Sequence, residues 1–135
     1  MGWGSRAKFV GDVDMKKKYF KGTIVEQSLT GKEILSNIHI LKSWHDQDWV
    51  LYSVQVEKSA GIKFSEFLKD GPWYMHFWEE SGDEMIIVFK NKNFLVSRSN
   101  KSTWGEAITY GSSINIPIEQ LERTGDEKGR PSAKQ

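Results

Sequence analysis

Three histidines, His39, His45 and His76, are the first residues to test for chemistry. None pairs with another at the His-x-x-x-His spacing that puts two imidazoles on one helical face, so a helical metal site is not supported. His45 stands beside Asp46 and Asp48. That set would hold a cation only with a further ligand brought by the fold, and a polar turn is the simpler account. His76 lies inside "WYMHFW", residues 73 to 78. It is either a core histidine or the acid–base group of an aromatic pocket, with Tyr74 and a nearby carboxylate. "EESGDE" gathers Glu79, Glu80, Asp83 and Glu84 at one turn. Such carboxylates can do acid–base work or hold a cation, but the spacing of a calcium loop is absent, and a solvated hairpin tip fits better. "FKNKNFLVSRSNK", residues 89 to 101, carries Lys90, Lys92, Arg98 and Lys101 without an acid, interleaved with Phe89 and Phe94. The pattern faintly matches the basic, aromatic strand of a single-strand RNA reader. No Gly-x-Ser-x-Gly elbow, phosphate loop or dinucleotide fingerprint occurs.

Any such site must be positioned by a chain of 135 residues, the size of one domain. The net charge of +1 provides no bulk attraction to nucleic acid. The absence of cysteine excludes disulfides and thiolate metal sites, and fits a reducing compartment. No run approaches the roughly 20 apolar residues that span a bilayer, and the first residues lack the apolar core of a secretory signal. A soluble, cytoplasmic protein is expected. Residues 1–18, rich in Gly and Lys, read as an N-terminal extension in which Met15 is a candidate natural start. Residues 19–121 read as one domain, and residues 122–135 as a polar tail.

The elements expected in that domain run β-β-β-α-β-β-β-α, an α+β class with a mainly antiparallel sheet of five to six strands. "YFKGTIVEQ", "NIHILKSW" and "WVLYSVQVE" read as strands, the last with Val50, Tyr52, Val54 and Val56 on one face. "GIKFSEFLKDGP" reads as a helix on the spacing of Phe64, Phe67 and Leu68, stopped by Gly71 and Pro72. Trp104, Ala107 and Ile108 give a second helix, with Thr103 and Glu106 as its capping box and Gly111 as its C-terminal cap. "INIPIEQL" reads as extended.

Two hairpins join "WYMHFW", "MIIVF" and "FLVSR". A turn at Ser81 and Gly82 pairs Trp78 with Met85, His76 with Ile87 and Tyr74 with Phe89. A loop of "KNKN" pairs Phe89 with Phe94, Ile87 with Val96 and Met85 with Arg98. One face then holds Tyr74, His76, Trp78, Met85, Ile87, Phe89, Phe94 and Val96. The other holds Trp73, Met75, Phe77, Ile86, Val88 and Leu95. Both are apolar, whereas an open antiparallel sheet normally turns one polar face to water. The expectation is that two helices pack on the first face. The second is covered by curling toward a barrel, by another subunit or by a ligand.

"KYFKGTIVEQSL", "WYMHFW", "IIVFKNKNFLV" and "EAITYGSSINIPIEQL" together resemble a group of small prokaryotic proteins with no known activity. The shared pattern has a glycine-containing first strand at Gly22 leading to Glu26, Ser28 and Leu29. It continues through Trp73, Tyr74 and Phe77, then Ile86, Ile87, Phe89, Asn91, Lys92, Phe94 and Val96. It ends at Tyr110, Gly111, Ser113, Ile116, Pro117, Gln120 and Leu121. The chain departs from the group at "SWHDQDW", a shorter link, and after Leu121. The resemblance implies one cytoplasmic domain and no particular activity.

The expected function is a non-catalytic binding or interaction module with no cofactor and no metal. Its anchors are Trp73, Met75 and Phe77 with Lys90 and Arg98 as charged neighbours, and its partner is a small apolar ligand or a protein, a homodimer included. The alternatives are a small enzyme around His76 and Tyr74, and a single-strand nucleic-acid binder using Lys90, Lys92, Arg98 and Phe94. No membrane partner is expected.

Overall fold

A computed structural model describes residues 18–122. Apart from Lys18 and Glu122, the expected extension and tail lie outside the described residues.

Six strands form one antiparallel sheet: β1 (Tyr19–Val25), β2 (His39–Asp46), β3 (Trp49–Glu57), β4 (Met75–Glu79), β5 (Glu84–Phe89) and β6 (Lys92–Ser97). The spatial order is β2-β3-β1-β4-β5-β6. The first strand in sequence is therefore central, paired with β3 from Tyr19 to Val25 and with β4 from Phe20 to Gly22. β2 and β6 are the two edges, so the sheet does not close into a barrel. Among the described residues three short helices complete the α+β fold: α1 (Lys58–Lys63), α2 (Gly105–Ser113) and α3 (Ile118–Glu122). Tight 3-10 turns occupy Glu26–Ser28, Glu33–Asn37, Phe64–Glu66 and Lys101–Trp104.

The first hairpin has the expected register, with Trp78 opposite Met85 and His76 opposite Ile87. The second is offset by two residues: Phe89 faces Lys92, Ile87 faces Phe94 and Met85 faces Val96. The turn is only Lys90-Asn91, because Asn91 takes a left-handed φ of 59° that closes a two-residue loop. An even offset preserves parity, so every residue stays on its expected face.

The covers differ from expectation. The helices divide between the two faces. Trp104, Ala107, Ile116 and Leu121 pack with Tyr74, Met85, Ile87, Phe89 and Val96 on one side. On the other, Ile34, Leu35, Phe64 and Leu68 pack with Phe20, Val54, Met75, Phe77, Ile86 and Val88. α1 joins that second side through Gly61, where a Cβ would already stand 3.4 Å from Phe77 and Ile86. Met75, Phe77, Ile86 and Val88 on the face whose cover was open are thus buried from within the chain, while Trp73 stays half-buried and Leu95 is 48% exposed.

Four local expectations yield to competing contacts. The helix foreseen around Phe64, Phe67 and Leu68 lies earlier, at Lys58–Lys63. Residues 67–69 instead run beside 28–30, with Thr30 N–H donating to Phe67 O at 2.7 Å and Lys69 N–H to Ser28 O at 2.9 Å. Thr103 and Glu106 make no capping box: the Thr103 hydroxyl accepts from Ser97 N–H at 2.9 Å, and Asn100 Oδ1 caps the turn through Ser102 N–H at 3.1 Å. Gly111 lies inside α2, where a Cβ would meet Leu121 at 2.6 Å. Asn115, at φ 74°, is the left-handed residue after the helix. The "INIPIEQL" segment turns helical after Pro117, whose carbonyl accepts from Gln120 and Leu121 N–H at 3.0 and 3.2 Å.

Candidate functional site

The expected anchor set does not assemble. Met75 and Phe77 are 2% and 0% exposed under α1 and its neighbours, so neither can meet a partner. Trp73 alone reaches the surface, half-buried. It meets Trp49 edge-on at 5.8 Å, and with Trp44 these rings pack over Val25 and Leu51. Lys90 donates to Leu68 O at 3.2 Å and lies 3.8 Å from Asp70. Arg98 sits 5.6 Å from the centre of the Trp78 ring. Lys90 closes β5 and Arg98 follows β6, so the two charges belong to opposite ends of that hairpin.

His76 is sealed. It is 4% exposed, tilted 34° against Trp78 with ring centres 5.4 Å apart, and its Nε2 has no hydrogen-bond partner among the described residues. Burial, with a smaller contribution from the Arg98 charge, pushes its pKa down to about 4. Tyr74 is equally covered, its hydroxyl 3.3 Å from Gln120 O. Both side chains, Tyr74 and His76, are thus buried, at 3% and 4% exposure.

The acidic turn serves the fold. Asp83 accepts from the Ser97 hydroxyl, from Ser99 N–H at 2.8 Å and from the Ser99 hydroxyl at 3.0 Å. The Ser97 hydroxyl, then the Ser99 donors and the Arg98 charge, hold its carboxyl below the usual carboxylate range against a smaller desolvation cost. Glu79 accepts from Glu84 N–H at 3.2 Å. Glu84 also meets Lys58 at 3.1 Å. Among the described residues no three His, Asp or Glu gather as a metal cluster, those around His45 included.

A surface that combines polar and ring chemistry lies between β6 and α2. A broad groove of about 710 Å³ is lined by Lys92 and Phe94 from the strand and Glu106, Thr109, Tyr110 and Ser113 from the helix. Phe94 and Tyr110 are half-buried, 6.0 Å apart and buttressed by Phe89, which meets Phe94 at 5.9 Å and Tyr110 at 5.0 Å. Lys92 Nζ stands over both rings, 5.6 Å from Phe94 and 6.0 Å from Tyr110. Among the described residues neither Lys92 nor Glu106 has an ion-pair partner. The groove therefore presents two rings tilted 50° to each other, an unpaired cation, an unpaired carboxylate, the Thr109 hydroxyl and a Ser113 hydroxyl that donates to Tyr110 O at 2.6 Å.

Sequence reasoning placed Phe94 and Lys92 in a basic strand but did not single out Tyr110 as a site residue. The signal was present: Tyr110 lies three residues after Ala107 and beside Gly111, at the rim of the α2 apolar stripe. The basic residues of 89–101 go to separate partners instead of one track. Lys90 joins Asp70, Lys92 the groove rings, Arg98 the Trp78 ring, and Lys101 the Trp104 ring and Glu122 O.

Fold and groove together define an α+β protein with an open six-stranded antiparallel sheet, capped on both faces and carrying one strand–helix groove of small-molecule size. No family model matches the chain, and neither the curated proteins nor the solved structures hold a match. No described helix is long and apolar enough to cross a membrane.

Proposed function

We propose that this protein is a small intracellular binding module whose β6–α2 groove takes a compact ligand with a flat, ring-bearing body and an anionic group. The carrying observation is the placement of unpaired Lys92 over the joined Phe94 and Tyr110 rings. A ring packs against one of those two rings, its acid group meets the Lys92 ammonium, and the Thr109 hydroxyl supplies an orienting hydrogen bond. Absence of cysteine fits the intracellular setting. The anchors proposed here replace the expected Trp73, Met75 and Phe77.

The test is titration of the labelled chain with benzoate and phenyl phosphate, followed by amide and aromatic NMR shifts. Saturable shifts should centre on Lys92, Phe94, Thr109 and Tyr110. Tyr110→Ala and Lys92→Ala should each weaken binding about tenfold. Shifts that never saturate, or that ignore both substitutions, would remove the proposal.

A further inference from the structure

The two sheet edges are not alike. At β6 the edge is occupied near its end: Ser97 N–H donates to the Thr103 hydroxyl at 2.9 Å, and Trp104 Nε1 donates to Ser97 O at 2.7 Å. At β2 none of the eight residues is buried. Ile40 and Leu41 are 37% and 42% exposed; β6 also shows one such side chain, Leu95 at 48%, so it is the occupied end of β6 that sets the two edges apart. An edge this long, with apolar side chains showing, is a template for another strand.

The pattern along β2 says which strand. A shift of pairing between Ile40 and Lys42 breaks the regular run, and the turn at Gln47 ends it on the other side. Between them lies a regular run of five residues, "KSWHD", Lys42 to Asp46. Lys42, Trp44 and Asp46 share one face, opposite Ser53, Leu51 and Trp49, while Ser43 and His45 lie on the other. Two such runs laid antiparallel about a two-fold axis put Trp44 against Trp44 of the second copy. Lys42 then faces Asp46 of the second copy, twice over by symmetry. A two-residue slide either way leaves three residues paired and brings no opposite charges together. A one-residue slide sets the two faces against each other. The run is thus self-complementary in one register.

We infer that β2 is the docking edge for a second copy of this chain, joining two sheets through antiparallel pairing of Lys42–Asp46. The Trp44 rings meet at the axis, each already carrying Lys42 Nζ over its own ring at 5.3 Å. They extend the apolar patch of Trp44, Trp49 and Trp73 across the axis. Two-fold pairing of β2 with β2 uses that edge of both copies, so the contact closes at two.

The experiment is sedimentation velocity of the full chain over a dilution series, with Lys42→Glu, Asp46→Lys and the double swap. Each variant is checked by circular dichroism. The unsubstituted chain should dimerise, and each single reversal, which sets like charges opposite each other at both pairs, should weaken the dimer about tenfold. The double swap should restore it, and added salt should weaken the dimers of the unsubstituted and double-swapped chains. Lys92→Ala and Tyr110→Ala should leave the dimer unchanged, which separates this surface from the groove. A chain monomeric at every concentration overturns the inference. So does a dimer indifferent to Lys42→Glu, or one that a folded double swap does not rebuild.

Discussion

Lowering the pH from 8 to 4 should cost the fold about 3 kcal/mol through His76 alone. The imidazole is buried beside Trp78, its Nε2 has no partner, and its pKa is held down to about 4. In the unfolded chain it titrates near the ordinary value of 6.5. Between these values the unfolded state binds the proton and the folded state does not, so protons favour unfolding. The contribution is fully present above about pH 7. It is down by about 2 kcal/mol at pH 5, and lost as pH falls through 4. His76→Phe should keep the ring volume, remove the unpaired nitrogen and flatten this limb. Urea midpoints at pH 7.5, 6 and 5 for both chains measure the effect. If the two chains lose stability in parallel, His76 is not the group responsible, and its sealed environment is not as described.

Gly22→Ala should destabilise the fold by about 3 kcal/mol, and Gly22→Val should prevent stable folding. Gly22 sits in the central strand directly opposite Phe77. A Cβ there would lie 2.5 Å from Phe77 Cδ1 and 2.7 Å from the His76 carbonyl oxygen. A ring can turn away, but the carbonyl belongs to the paired strand and cannot. Gly105→Ala is the matched control: a Cβ there meets nothing within 4 Å, so it should leave the fold essentially unchanged. Thermal melts of the three variants decide it, and a Gly22→Ala protein melting with the parent would refute the close approach of β1 to β4.

Sequence alone placed Gly22 in the first strand without saying why a glycine stands there, and the approach of Phe77 supplies the reason. The half-buried rings tell the opposite story. Trp49 and Trp73 meet across 24 positions of sequence, and Phe94 meets Tyr110 across 16. No spacing rule announces such pairs, because they form only after strand and helix have been placed by the rest of the chain. Met75 and Phe77 left the expected anchor set for the same reason: they read as an uncovered face only while the cover was unassigned.

From sequence alone came the α+β class, the antiparallel meander and the division of "WYMHFW" by parity into Tyr74, His76, Trp78 and Trp73, Met75, Phe77. These follow from local rules: strand side chains alternate, and tight turns set register. Even the misplaced second hairpin kept its faces, because its offset was two. Tertiary structure decided what covers each face. An apolar stripe tells that a helix must be buried, not against which side of a sheet. Here α1 leaves β3 toward the Phe77 side, while α2 and α3 close the Phe89 side. It also decided that the open surfaces lie at the edges of the sheet, at β2 and in the groove beside β6. Both faces of the β4–β5 hairpin had already been filled by the chain itself.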